Sequence, residues 1–323
     1  MIAVLCGGVG AARMLTGLQA VVDPGEIVGV VNTGDDTELH GLYISPDLDT
    51  ITYTLAGVVN PATGWGLEGE SFRAMQALER FGAVTWFRLG DADLATHLYR
   101  TGRLRQGATL SEVTQEISRA WGLGVRLLPM SDDPVRTRLR LADSQEVAFQ
   151  EYFVKLRHSV VVESVRFEGA ETARPAPGVL EALESAEIVV VAPSNPVVSI
   201  GPILAVAGVT KCLTARRDSV VAVSPIVAGA ALKGPADRLL VELGGDASAP
   251  GVARFLSAFV GTLVIDQADE DVAAEVEAAG VNCVVAPTVM RTHEIAADLA
   301  RTVLAACGTV TGPPGAAPGA PGS

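Results

Sequence analysis

The chain has 323 residues, 49% hydrophobic and 19% charged, with a formal net charge of −13. That balance supplies a large core, excludes disorder over most of the length, and argues against nucleic acid as a partner, since no basic surface is implied. Four scattered cysteines without a C-x-x-C pair, and only four histidines, argue against a zinc site and leave reduced core thiols as the expectation.

The first residues form a strand-like run with no basic leader, and no apolar stretch has the roughly 18 residues that a membrane span needs. A cytoplasmic chain is expected. The run Ile2–Leu5 leads into "CGGVGAARML", where Gly7, Gly8 and Gly10 permit a close backbone approach. The helix pattern that follows, Ala11–Val21, offers free N–H groups to an anion. The spacing is not that of a Walker loop. Arg13 stands where G-x-G-x-x-G requires a small residue, and Asn32, not a carboxylate, ends the second strand, so a nicotinamide dinucleotide is not expected. A tight β–α turn without a ligand is the competing reading.

The second run, Ile27–Val31, stops at Asn32-Thr33-Gly34 and is followed by Asp35, Asp36, Glu38, Asp47 and Asp49. Such a stretch is either a solvated loop or a site at the carboxyl edge of a parallel sheet. Asn32 and Thr33 suit phosphate contacts, and Asp35 and Asp36 suit a hard cation that bridges phosphate oxygens. Asp47 and Asp49 open a helix pattern; one is expected to cap it and the other to stay free for a ligand. Trp65, in the turn-rich "NPATGWG", suits a flat heterocycle. After the helix pattern Ser71–Phe81, the run Val84–Phe87 reads as a strand ending at Arg88. That arginine suits a phosphate or an aromatic face, or a surface ion pair with Asp91 or Asp93.

Beyond the helix Leu110–Trp121, the alternation "RTRLRL", a helix-like "AFQEYFVKLRH" and "VESVRFEG" read as a small β-α-β insertion at about 130–175 with one wet face. The helix Gly178–Leu183 and strand Ile188–Ala192 lead into "APSNPVVSIGPIL". There Ser194 and Asn195 suit a phosphate or nucleobase, or serve only as helix caps. Strands Val220–Val223, Leu263–Ile265 and Cys283–Ala286 alternate with helices Asp269–Ala279 and Glu294–Ala306, and the tail Gly312–Ser323 should be disordered. The strands lack polar alternation, as strands buried on both faces do. The expected architecture is α/β: one Rossmann-like domain, 1–311, with a mostly parallel sheet, helices on both faces and the small insertion.

Taken in order, "GGVGAARML", "VNTGDDTELHGLYISPDLDTITYTLAG", "NPATGWG", "WFRLGDADLATHL", "RLLPMSDDPVRT" and "APSNPVVSIGPIL" resemble the transferases that make coenzyme F-420. These are the 2-phospho-L-lactate and phosphoenolpyruvate transferases, and the match runs through Met1–Leu204 with continuation to about Cys307. The resemblance implies a homodimer that joins a guanosine diphosphate-linked lactyl or enolpyruvyl donor to the terminal ribityl hydroxyl of the deazaflavin Fo, releasing GMP. It implies Mg²⁺ on Asp35 and Asp36 as the catalytic pair, and donor contacts from Gly7, Gly8, Gly10, Asn32, Thr33, Ser194 and Asn195. It implies Fo contacts from Asp49 and Arg88. Arginine-rich, lysine-poor usage hints at a GC-rich bacterial source and so at the enolpyruvyl donor. The alternative is a non-catalytic nucleotide-sugar-binding regulator of the gluconeogenesis-factor type, against which Asp49 in "SPDLDT" discriminates.

Overall fold

Five apolar residues, Ile2–Cys6, form an interior strand of a seven-stranded parallel sheet. Ile27–Val31 pairs on one side and Ile188–Val191 on the other. Arg126–Pro129 closes the first edge; Val220–Val223, Thr262–Asp266 and Asn282–Ala286 extend the other. Ile2–Cys6, Ile27–Val31, Ile188–Val191 and Val220–Val223 are buried throughout, which is why their sequences are unbroken apolar runs. The computed structural model describes residues 1–307, and the tail expected to be disordered, 312–323, lies outside the described residues.

Each face of the sheet carries its own apolar core. On one face, helix Gly8–Gln19 packs against helix His293–Ala306 through Ala11, Met14 and Leu15 facing Ala296, Leu299 and Val303. Contact is close because Gly17 lacks a side chain: a Cβ there would lie 2.2 Å from the Ala296 carbonyl oxygen. Among the described residues no single helix is long and apolar enough to cross a membrane.

Two expectations change. Val84–Phe87 is not a strand but a half-exposed connection; Val84 is exposed, while Phe87 packs against a satellite cluster of Ile44, Met75 and Leu89. The edge strand is instead Arg126–Pro129, hydrogen-bonded in register with Val28–Val31. The second change concerns residues 136–168, which form an antiparallel three-stranded sheet and not a β-α-β unit. Arg136–Leu141 lies between Glu146–Ala148 and Val162–Glu168, with one helical turn, Glu151–Lys155, before the last strand. The wet face is present: Thr137, Leu139 and Leu141 point into the core, while Arg138 and Arg166 pair with Glu168 and Glu146 outside.

Candidate active site

The chain leaves Ile2–Cys6 toward one edge and Ile188–Val191 toward the other, so a crevice opens between their carboxyl ends, where open α/β sheets bind ligands. Two loops meet there. The Gly7 N–H donates to Ser194 Oγ (3.2 Å), and the Ser194 hydroxyl donates to the Gly7 carbonyl (2.8 Å). Gly10 is essential to this approach: a Cβ would fall 2.2 Å from the Pro193 carbonyl oxygen. Asn195 Oδ1 accepts from the N–H groups of Val197 (2.9 Å) and Val198 (3.3 Å), capping the next helical segment.

From this crevice a cavity of about 650 Å³ extends across the sheet edge. Its wall brings together Gly7, Gly8, Gly10, Asp35, Asp49, Arg88, Ser194 and Asn195, residues singled out from five separate stretches of sequence. Trp65 also lines it and is half exposed. Asn32, Thr33 and Asp36 lie outside this wall, although all three are buried. Asp36 lines a smaller neighbouring cavity of about 240 Å³, whose wall Asp35 shares.

Asn32 organises the acidic stretch. Its Oδ1 accepts from the Gly34 N–H (2.8 Å), an Asx-type turn that swings the chain out of the strand. Its Nδ2 donates to Asp47 Oδ2 (2.9 Å), tying that turn to the start of helix Pro46–Leu55. Ser45 donates to Asp36 Oδ2 (2.8 Å). Asp47 and Asp49 both lie in the first helical turn, where free N–H groups favour negative charge. Neither is the N-cap, which is Ser45.

Two acidic groups result, and they differ in how their charge is met. Asp49, Asp93 and His97 offer ligand atoms within 4.8 Å of one another, a possible metal site. Here, however, the buried Arg100 already makes a two-armed pair with Asp49. His97 lies between the two carboxylates, with Nε2 3.2 Å from Asp93 and Nδ1 3.7 Å from Asp49. Tyr53 donates to Asp93 (2.6 Å). Burial pushes Asp93 up, but hydrogen bonds from His97 and Tyr53 outweigh it and hold the carboxyl below its ordinary range.

The other group, Asp35, Asp36 and Asp47, is under-compensated. Burial, then the charges of Asp47 and Asp36, push Asp35 well above the ordinary carboxylate range. Burial lifts Asp36 to about 7 despite the nearby charge of Arg136, and lifts Asp47 to about 6 despite the Asn32 amide and the Gly8 N–H. Asp35 Oδ1 and Asp36 Oδ1 are buried without a hydrogen-bond partner. Orphaned carboxylate oxygens beside unmet negative charge fit a hard cation with oxygen ligands.

Arg88 makes neither of the ion pairs considered for it. Its guanidinium lies 4.0 Å above the Phe72 ring, and Asp91 instead accepts from Ser71 and from the Arg73 and Ala74 N–H groups. Asp47, Asp93, His97 and Arg100 were not singled out as site residues by sequence. Asp47 had the signal, a carboxylate opening a helix, but its neighbour Asp49 carries the same one.

The 2-phospho-L-lactate transferase CofD family matches residues 2–303. A phosphoenolpyruvate transferase of Kitasatospora aureofaciens is 46% identical over 310 residues, covering 94% of this chain and 97% of the relative. One from Mycolicibacterium smegmatis is 41% identical over 320 residues, with coverage of 94% and 97%. The solved structure of protein BH3568 from Bacillus halodurans has a TM-score of 0.63 at 16% identity, covering 94% of this chain and 98% of that one, a likeness of fold alone. The chain therefore belongs to the 2-phospho-L-lactate transferase CofD family and is an enzyme, a transferase of phosphate-containing groups in coenzyme F-420 biosynthesis.

Proposed function

We propose that this transferase moves the phosphoenolpyruvyl group of a guanosine diphosphate-linked donor to the terminal ribityl hydroxyl of Fo. The observation that carries the reading is the single cavity joining the glycine turn and Ser194 loop to Asp35, Asp47, Asp49, Arg88 and Trp65. A nucleotide end and a flat-ring end thus share one chamber. The enolpyruvyl donor is preferred over the lactyl one because relatives bearing the phosphoenolpyruvate transferase name align over 97% of their length.

In the reaction, the ribityl oxygen forms a bond to the donor's distal phosphorus. The bond from that phosphorus to the bridging oxygen breaks, and its electron pair leaves with GMP. The hydroxyl proton is taken by a cavity carboxylate. Gly7, Gly8 and Gly10 let the donor diphosphate approach the backbone, with Ser194 and Asn195 shaping the opposite wall. Asn32 and Thr33 act from beneath, Asn32 by fixing the turn that aims Asp35. Asp35 and Asp36, with Asp47 beside them, would hold Mg²⁺, which neutralises charge on the diphosphate oxygens when bound. Arg88 and Trp65 receive Fo, and Asp49 acts through Arg100 to keep that wall in place. A cytoplasmic homodimer belongs to the same reading.

The test is direct. The protein is incubated with Fo, Mg²⁺ and either enolpyruvyl- or lactyl-diphospho-guanosine, and the products are weighed by mass spectrometry. Dehydro-coenzyme F-420-0 and GMP are expected from the first donor. Preference for the lactyl donor would reverse the donor assignment, and no phosphodiester from either would overturn the transfer reading.

A further inference from the structure

The cavity has a basic pole as well as an acidic one. Arg13 and Lys233 both line it, and neither pairs with a carboxylate among the described residues. In a chain with 37 acidic against 24 basic residues, where arginines 100, 103, 138, 166, 174, 238, 254 and 301 pair with acids, these two cations keep their charge unmatched inside a ligand-sized cavity. Each of the two cations is instead anchored by a main-chain carbonyl. Arg13 donates to Met290 (3.1 Å) and Lys233 donates to Thr63 (2.9 Å). A carbonyl fixes a cation's position without cancelling its charge, so two unmatched positive groups are held in one chamber. They are close enough that the charge of Arg13, after burial, lowers the basicity of Lys233.

Their placement relative to the glycine turn gives the pair a direction. A Cβ on Gly64 would touch both Lys233 Nζ (2.9 Å) and Val9 Cγ1 (3.1 Å), so the ammonium sits next to the turn at Val9. Arg13 lies one helical turn further along the same segment. Asp47 lies against the start of the turn, where a Cβ on Gly7 would lie 3.2 Å from its Oδ2 and one on Gly8 3.8 Å from its Oδ1.

We propose that Arg13 and Lys233 form the site for the leaving nucleoside monophosphate, so that the donor diphosphate lies across the glycine turn with its transferred phosphorus toward Asp35 and Asp47. This rests on the transfer reading above. When the bond to the bridging oxygen breaks, that oxygen keeps the electron pair and the departing phosphate becomes a dianion. Two cations without carboxylate partners meet the new charge where it forms.

The test measures GMP and guanosine binding by calorimetry in EDTA, for the wild-type chain, Arg13→Gln, Lys233→Gln and the double variant, with Fo binding and transfer followed in parallel. Each single substitution should weaken GMP about tenfold and the pair about a hundredfold, as loss of charge-assisted hydrogen bonds does. Guanosine and Fo affinities should hold, and Lys233→Arg should retain GMP binding. Unchanged GMP affinity in the double variant, or equal losses of GMP and guanosine, overturns the proposal even if wild-type transfer proceeds. Absence of wild-type transfer, with GMP binding that still depends on the pair, would sink the transfer reading and leave the site standing.

Discussion

Asp47 and Asp49 are two residues apart on one helix, yet one carboxylate faces Asn32 and unmet negative charge, the other a buried guanidinium. Substitutions should separate these situations. Asp49→Ala leaves Arg100 buried and unpaired, so it should cost about 3–5 kcal/mol of stability, read as a lower urea midpoint. Arg88→Ala breaks no ion pair and should stay within about 0.5 kcal/mol of wild type. It should still weaken Fo by about ten- to a hundredfold, the worth of a hydrogen bond to a charged group, measured by fluorescence titration. Asp35→Asn replaces a buried carboxyl whose ionised form burial and the charges of Asp47 and Asp36 disfavour in the metal-free chain. It should therefore lower turnover by orders of magnitude while leaving the melting temperature in EDTA equal or higher; near-normal turnover would remove Asp35 from the chemistry. The carboxylates were legible because they crowd just past a buried strand. Which of Asp47 and Asp49 does what was not, because Arg100 is brought to Asp49 only by folding.

At the scale of elements, unbroken apolar runs identified six of the seven strands, since burial on both faces leaves that pattern. The seventh was misplaced because a short apolar run does not reveal whether it has ladder partners. Val84–Phe87 spends its aromatic residue on the cluster around Met75 and Leu89, whereas Arg126–Pro129, less β-branched, finds Ile27–Val31. The glycine turn was legible as a close approach, but not what it approaches, the Pro193–Ser194 backbone 187 residues away at the Gly7–Ser194 contact. Gly10→Ala should therefore act on two loops at once. The added methyl meets a carbonyl that cannot retreat without breaking the Gly7–Ser194 bonds, an overpacking cost of about 1–3 kcal/mol. Both the melting temperature and GDP affinity should fall, and a variant that keeps both would show the loops are not locked together.

The molecule as a whole is acidic, and its buried carboxylates make stability depend on pH in a direction that can be stated. Asp36 and Asp47 titrate at about 7 and about 6 in the folded chain, raised by burial above the ordinary carboxylate range they regain on unfolding. Below that ordinary range both states are protonated and nothing is lost. As pH rises, the unfolded chain releases these protons first, so the folded state binds more protons and stability falls, levelling off above about 7. A divalent cation bound by the ionised group stabilises the folded state only, by mass action. In EDTA the melting temperature should thus fall between pH 5 and pH 8, and millimolar Mg²⁺ should recover more of it at pH 8 than at pH 5. Other groups on so acidic a surface also respond to pH, so the decisive comparison is with Asp36→Asn, which should show a smaller fall in EDTA. If that variant loses as much as wild type across the same range, the buried carboxylates are not what the pH change acts on, and their readiness for a cation must be argued on other grounds.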